Sequence, residues 1–437
     1  MIDIRNKNLR FLIIGYGVSG RSTHAFLKSN GYPVAAFDDK ILIEDSDIGN
    51  IADFGAVVKS PGVPFMPHNA HFIVKRAHEE GVPVITNYDV FSLFNNNARI
   101  IMVTGTNGKS TTAALIDHVM RKSEINSVVG GNIGVPYGDL PHSDVYVFEM
   151  SSYELAVSQY MNFEVGCILN IEPDHLENHG SFENYINAKH NGLAHSETKI
   201  ISYEDRNTMA VYKNTSITIS NRGNKKADVY IDNQKLIDNI NKIEFGLSRL
   251  PALRGRHNHQ NLAFAYVVCS NLGIPIDCIL SGMESFESLP HRLNFTGTIG
   301  NVSFVNDSKA TNPVASACAL ETFSEYNIFW IIGGRSKKTD VHEHVDAFMA
   351  TVKKIYLIGE AMDEFEAAFK GMRETKRSET LERAVADAYN DAKKSSNNSV
   401  VLFSPMCASF DQFANYCERG NRFCQIVASI SDTKSHR

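Results

Sequence analysis

An apolar run, Ile100-Ile-Met-Val103, drops into Thr104-Gly105-Thr106-Asn107-Gly108 and then straight into Lys109-Ser110-Thr111-Thr112. Short apolar runs bounded by glycine bury well as strands, and the residues that follow here open a helix. That order confines the chain to α/β architectures. Glycines free backbone N–H groups to point at phosphate oxygens, and a helix N-terminus adds its positive dipole end. Lys109 can reach terminal phosphates, and Ser110 or Thr111 can ligate Mg²⁺. The loop is shorter than the full phosphate-loop pattern, because Val103 stands where a leading glycine is usual. The plain alternative is a Gly-Asn turn feeding a structural helix.

Strand and helix patterns alternate almost throughout, which favours mainly parallel sheets. A length of 437 residues suits about three domains. The expected divisions are 1–94, 95–290 and 291–437, with the asparagine run at 95–97 as a linker. Expected strands in the first block are Leu9–Gly15, Val34–Phe37, Val57–Lys59 and Val84–Ile85, with a helix over Val18–Ser29. The third block is expected to hold strands at Val302–Val305, Ile328–Ile332, Ile355–Ile358 and Val400–Phe403. A formal charge of −6 with no basic stripe argues against nucleic acid. Seven scattered cysteines without a Cys-x-x-Cys pair suit a reducing cytoplasm. The N-terminal MIDIRNKNLR lacks a signal-peptide core, and no stretch reaches the ~20 apolar residues that span a bilayer. A cytoplasmic chain with no membrane insertion is expected.

Parallel sheets bind ligands beyond the carboxyl ends of their strands. In the first block Gly15-Tyr-Gly17-Val18-Ser19-Gly20 fits a dinucleotide fingerprint, and Asp38 ends the next strand. The same geometry accepts any pyrophosphate, a UDP-sugar included, so a Rossmann-like fold is expected without committing to NAD. Ser60-Pro61-Gly62 lies on the same edge and also reads as an ordinary turn. In the second block Val145–Phe148 ends in Glu149, and Val165–Ile171 leads into Glu172-Pro-Asp174-His175. Carboxylates and a histidine beside a phosphate loop favour a metal–nucleotide site. Lys189 shares a helical stripe with Phe182, Tyr185, Ile186 and Leu193. Burial there would leave some of the amine neutral and able to take up CO₂ as a carbamate. The residues alone favour a lysine whose stem packs while its head stays wet. His257-Asn258-His-Gln-Asn261 precedes an apolar helix, where the amides read best as caps.

In the third block three strands run into Asn306-Asp307-Ser308-Lys309-Ala-Thr311-Asn312-Pro313, Gly333-Gly334-Arg335-Ser336-Lys337-Lys338 and Ser404-Pro405-Met-Cys-Ala-Ser409-Phe-Asp411. Pro313 suits a first helical turn, capped by Asn312 or Thr311. Lysines, hydroxyls and helix starts on one rim suit a small dianion.

Together these strings resemble the Mur ligases along essentially the whole chain. GTNGKST, FEMSS at Phe148–Ser152 and GGNIG at Gly130–Gly134 occur across that superfamily. NDSKATN and SPMCASFDQF point to its D-glutamate-adding branch. The resemblance implies a Rossmann-like N-terminal domain, a central P-loop mononucleotide-binding domain and a Rossmann-like C-terminal domain. It implies ATP-dependent amide formation between UDP-N-acetylmuramoyl-L-alanine and D-glutamate through an acyl phosphate, in a monomer. Two Mg²⁺ ions, replaceable by Mn²⁺, would be needed. Gly105, Thr106, Asn107, Gly108, Lys109, Ser110 and Thr111 would hold the ATP phosphates. Asn258 and Asn261 would face adenine, with Arg292 and Asp307 near the ribose and phosphates. Ser110 and Glu149 would hold one Mg²⁺; His175 and a carbamylated Lys189 would hold the other, so the resemblance reverses the plainer reading of Lys189. Gly17, Val18, Ser19, Asp38, Ser60 and Asn132 would bind the UDP substrate. Lys309, Thr311, Lys337, Ser409 and Tyr416 would surround D-glutamate. Tyr416 stands where the family often has phenylalanine, and Lys338 is placed to share the role of Lys337. A sister ligase or a folylpolyglutamate-type ligase adding another amino acid is the neighbouring alternative.

Overall fold

The computed structural model describes residues 2–435 except 42, 44–47, 96, 133–134, 212–215, 249, 251–252, 254, 337–340 and 396–397. Asn96, Ile133, Gly134, Lys337 and Lys338, all named above, lie outside the described residues. Two compact units divide the chain. One comprises Met1–Pro251 with Asn258–Phe286, the other Ala252–His257 with Glu287–Arg437.

The first unit carries two sheets. Strands β1 (Phe11–Ile14), β2 (Val34–Phe37), β3 (Ala56–Lys59) and β4 (Val84–Thr86) form an all-parallel sheet in the order β2-β1-β3-β4. Every residue of β1 and β3 is buried, as expected of strands covered on both faces. The second sheet holds β5 (Arg99–Thr104), β6 (Ser127–Gly131), β7 (Val145–Glu149), β8 (Phe163–Ile168) and β9 (Ser196–Ser202). It continues through β10 (Ser216–Ser220), β11 (Val229–Asp232), β12 (Lys235–Asp238) and β13 (Ile243–Gly246). Its order is β13-β12-β11-β10-β9-β8-β5-β7-β6. The two sheets share one apolar core, in which Phe91 meets the rings of Tyr146 and Phe148 at 4.8 and 5.2 Å.

The second unit has one sheet, built from β14 (Asn294–Ile299), β15 (Val302–Asn306), β16 (Asn327–Gly333), β17 (Val352–Ile358), β18 (Thr375–Glu379) and β19 (Ser399–Phe403). The order is β14-β15-β19-β16-β17-β18. β19 therefore lies between β15 and β16, although it comes last in the chain.

Four details differ from the sequence reading. β11, β12 and β13 run antiparallel at one edge, and Asn233 and Gln234 turn the first of these hairpins with positive φ at both positions. β14, unforeseen, pairs antiparallel to β15. The strand expected at Val165–Ile171 ends at Ile168, so Leu169–Ile171 are loop. The amides of Asn258 and Asn261 lie inside the helix Arg256–Asn271, not ahead of it, and do not cap it. Among the described residues no helix is long and apolar enough to cross a membrane.

Candidate active site

β5 sits where the second sheet reverses its winding, with β7 on one side and β8 on the other. In open parallel sheets, ligands bind beyond the carboxyl end of a strand placed in this way. Gly105 (φ 154°) and Gly108 (φ 90°) take conformations that favour glycine. A Cβ on Gly108 would come within 2.3 Å of Asn261 Oδ1, so the loop and the helix Arg256–Asn271 approach as closely as a missing side chain permits. The helix Lys109–Lys122 starts at Gly108 with no side-chain cap, and its N-terminus carries the positive end of the helix dipole.

Residues after β8 hold the loop from the other side. Asn170 Oδ1 accepts from the Asn107 N–H at 2.8 Å, and its Nδ2 donates to the Asn107 carbonyl at 3.1 Å. Thr106 Oγ1 lies 3.0 Å from the Tyr185 hydroxyl and accepts from the Glu172 N–H at 2.9 Å. Asn170 and Tyr185 escaped the sequence reading as loop-holding residues. An Asn two residues past an apolar strand carries too little signal to be singled out.

Two lysines share one carbonyl. Lys109 Nζ donates to Gly105 O and Thr106 O, both at 2.9 Å. Lys189 Nζ donates to the same Gly105 oxygen at 2.9 Å and to Thr104 Oγ1 at 3.3 Å. Lys189 is 1% exposed, so its head is dry, against the expectation from the residues alone that it would snorkel. Burial first, and the Lys109 charge second, push its pKa well below the usual lysine value. Asp174 and Glu149 act on it in the opposite sense.

Glu149 lies opposite Val103 in the β5–β7 ladder. It is buried, and Oε1 accepts from Asn132 Nδ2 at 3.2 Å. Oε2 is buried with no hydrogen-bond partner. A dry carboxylate oxygen left unpaired is costly unless a cation completes it. A carboxylate, the buried Ser110 hydroxyl and phosphate oxygens together suit Mg²⁺, which takes few protein ligands. His175 stands at the half-exposed rim in a left-handed conformation, Nε2 at 3.5 Å from Asp174 Oδ2. Among the described residues no three His, Cys, Asp or Glu side chains gather into a metal cage.

The first sheet reverses at β1, between β2 and β3. Ser60 Oγ donates to Gly15 O at 2.6 Å, and a Cβ on Gly20 would fall 2.0 Å from that oxygen. Asp38 accepts from the N–H groups of Tyr16, Lys40 and Ile41, which hold its carboxyl below the usual range. The helix Val18–Ser29 begins at Gly17 without a side-chain cap, and Val18 and Ser19 form its open first turn.

In the second unit β15, β19 and β16 are adjacent, so their three terminal loops meet. Lys309 Nζ lies 5.0 Å above the Tyr416 ring. Ser409 is buried, while Thr311 is half-buried. Asn312 caps the helix Pro313–Thr322, as expected, by accepting from the Ala315 N–H. Asp307 is buried, accepting from Ser404 Oγ at 2.8 Å and the Leu293 N–H at 3.2 Å. Burial raises its pKa to about 7, against those hydrogen bonds and the Arg292 charge. Arg419 was missed entirely. It is 1% exposed and donates to Ser308 O, Cys407 O and Ser308 Oγ at 2.7, 3.0 and 3.1 Å, tying the loops after β15 and β19 together. An arginine in a polar stretch of helix, three residues before Arg422, gives no cue in sequence.

Residues 103–269 match the family model of the Mur ligase middle domain, and residues 291–407 that of the Mur ligase glutamate ligase domain. A UDP-N-acetylmuramoylalanine–D-glutamate ligase of Brucella abortus is 37% identical, over 97% of this chain and 96% of its own length. The enzyme of that name from Mesorhizobium japonicum is 38% identical, with the same coverage. The chain belongs to the Mur ligase family. The fold agrees: a UDP-N-acetylmuramate–alanine ligase from Thermotoga maritima superposes with a TM-score of 0.62 at 19% identity, covering 97% of this chain and all of the other. Amide formation driven by ATP is the activity of this family.

Proposed function

We propose that this chain joins D-glutamate to UDP-N-acetylmuramoyl-L-alanine with ATP, a cytoplasmic step of peptidoglycan synthesis. The observation that carries this reading is likeness along nearly the full length to ligases of that name. The strand-end chemistry supports it. Lys109 neutralises the transferring phosphoryl group, and the loop Gly105–Thr111 cradles the triphosphate. Ser110 and Glu149 hold one Mg²⁺, and His175 with Lys189 as its carbamate holds the second. The unpartnered Glu149 oxygen and the dry Lys189 amine support those assignments. Bound Mg²⁺ supplies the positive charge that lets a carboxylate approach a triphosphate.

The carboxylates of D-glutamate fit the loops carrying Lys309, Thr311, Ser409 and Tyr416. Asn258 and Asn261 serve adenine, and Arg292 and Asp307 the ribose and phosphates. Gly17, Val18, Ser19, Asp38, Ser60 and Asn132 serve the UDP substrate. Three functional modules, at 1–94, 95–290 and 291–437, and a monomeric enzyme complete the proposal.

The test is ADP release with UDP-N-acetylmuramoyl-L-alanine and a panel of amino acids. Release that depends on D-glutamate is the expected result. Release with L-alanine or meso-diaminopimelate, and none with D-glutamate, would overturn the assignment.

A further inference from the structure

Asp89 is fully buried, and its two carboxylate oxygens accept five hydrogen bonds. It lies in the first turn of the helix Asn87–Phe94, directly after β4. Oδ2 accepts from Thr86 N and Thr86 Oγ1, both at 2.9 Å, and Thr86 Oγ1 in return accepts from Asp89 N at 3.1 Å. This is a capping box, and it accounts for one oxygen. Oδ1 accepts from Ser158 Oγ and Gln159 N, both at 2.9 Å, and from Tyr160 N at 2.7 Å. Those three donors lie 69 to 71 residues further along the chain.

The cap does not call for the second set of bonds. Ser158–Tyr160 belong to no helix or strand, so the bonds to Asp89 set the path of that loop. Hydrogen bonds to a carboxylate are shorter and stronger than neutral ones, and three converging on one oxygen fix direction as well as distance. Ser92, one turn further along the same helix, adds a fourth tie: its Oγ donates to Tyr160 O at 2.8 Å.

Each end of this bridge adjoins part of the candidate site. Thr86 pairs with Lys59, and Lys59 with Ile14, so one row of the first sheet leads from the cap to the residues just before Ser60 and Gly15. Ser60 Oγ closes that turn on Gly15 O. At the other end, the loop follows the helix Ser152–Leu155, just past Glu149. Asn191, two residues after Lys189 on the helix Phe182–Ala194, donates through Nδ2 to Leu155 O at 2.7 Å and Ser158 O at 3.2 Å. Asp89 thus joins the turn of the first sheet to the segment between Glu149 and the Lys189 helix, all within one compact unit. We propose that Asp89 is a positioning residue for the muramoyl substrate: its Oδ1 pins the loop Ser158–Tyr160 and so holds the turn at Gly15–Ser60 in register with the rim of Glu149 and Lys189.

The inference rests on the reading of Gly15–Ser60 as the UDP-substrate cradle. Asp89→Ala removes cap and pin together. It is expected to raise KM for UDP-N-acetylmuramoyl-L-alanine by about five-fold or more, with KM for ATP within about two-fold. Thr86→Val removes a hydroxyl of the cap and leaves Oδ1 and its donors in place. It is expected to melt below the wild type with both constants within about two-fold. A purely structural Asp89 would not separate the two variants, so equal changes in the muramoyl KM would overturn the proposal. A folded Asp89→Ala with the wild-type value would do the same. Asp89→Asn keeps one oxygen, and three donors against two turn it toward the loop. It is expected to melt lower, to leave the Gln159 and Tyr160 amides slow to exchange, and to hold the muramoyl KM within about two-fold. If those amides lose protection, that KM is expected to rise with them. A rise of about five-fold while they stay protected overturns the pin even if Asp89→Ala fails to fold. Wild-type protein without D-glutamate-dependent turnover would instead remove the functional reading, a result distinct from active wild type with an indifferent Asp89→Ala.

Discussion

The candidate phosphate corner of the first unit and the candidate acid pocket of the second are built in opposite ways. In the first, one short stretch, Gly105–Thr111, supplies loop, lysine, hydroxyls and helix start together, and the neighbouring strands only brace it. In the second, loops about a hundred residues apart meet because β19 inserts between β15 and β16. A buried arginine from the helix Tyr416–Ser435 then ties two of them together. The first corner keeps charges dry but close to the rim. The second keeps a dry acid, Asp307, whose pKa burial raises to about 7. A compact motif can lose a side chain and keep its shape, whereas a composite pocket loses its shape with the residue that joins it.

The sharpest test of that contrast is Lys109→Ala. Lys109 Nζ donates to backbone carbonyls of its own loop, and the fold should survive its loss while turnover falls on the order of 10³-fold or more. Circular dichroism and ADP release check the two halves of that statement, and retained turnover would misplace the nucleotide. Lys189→Ala comes next. It should be inactive, with partial recovery in short carboxylic acids acting as replacement ligands. Normal turnover in that variant would exclude the carbamate.

Arg419→Ala should behave in the opposite manner to Lys109→Ala. Losing a buried guanidinium leaves its carbonyl partners unpaired, at about 3 kcal/mol in the stability of the second unit. Trp330, the single tryptophan of the chain, is buried there and donates to Ser404 O, so its fluorescence reports that unit. A denaturation midpoint unchanged by the substitution would break the comparison.

The smallest effect concerns pH. Asp307 binds its proton more tightly folded than unfolded, where it titrates near 3.8. Between pH ~4 and ~7 the native state holds more protons, so stability falls as pH rises through that window. The contribution is complete below the unfolded value and gone above the folded one. Asp307→Asn should flatten this decline in Trp330-monitored urea denaturation at pH 5 and pH 7.5. An equal slope in variant and wild type would mean that the acid is not held protonated.

The sequence made the α/β class legible, along with the strand-end rule and nearly every strand that ends in a motif. Val18–Ser29 and Val34–Phe37 match residue for residue, because a glycine turn, a helical stripe and an apolar run mark their ends locally. The antiparallel edge β11–β13 was not legible, since an Asn-Gln turn with two positive φ values departs from the usual glycine signal. The place of Asn258 and Asn261 inside a helix was also out of reach, because a cap and a buried polar helical residue look alike in one dimension.

Local chemistry alone determined which residues could meet phosphate: spacing and residue type fix a glycine loop whatever surrounds it. Only the tertiary structure decided which charges are dry. Asp307 and Arg419 look like ordinary surface residues in the sequence, and from the residues alone Lys189 reads as a lysine whose stem packs while its head stays wet. Their protonation and roles depend on desolvation by elements far along the chain. That free energy is a property of the packed interior, which no short segment carries by itself.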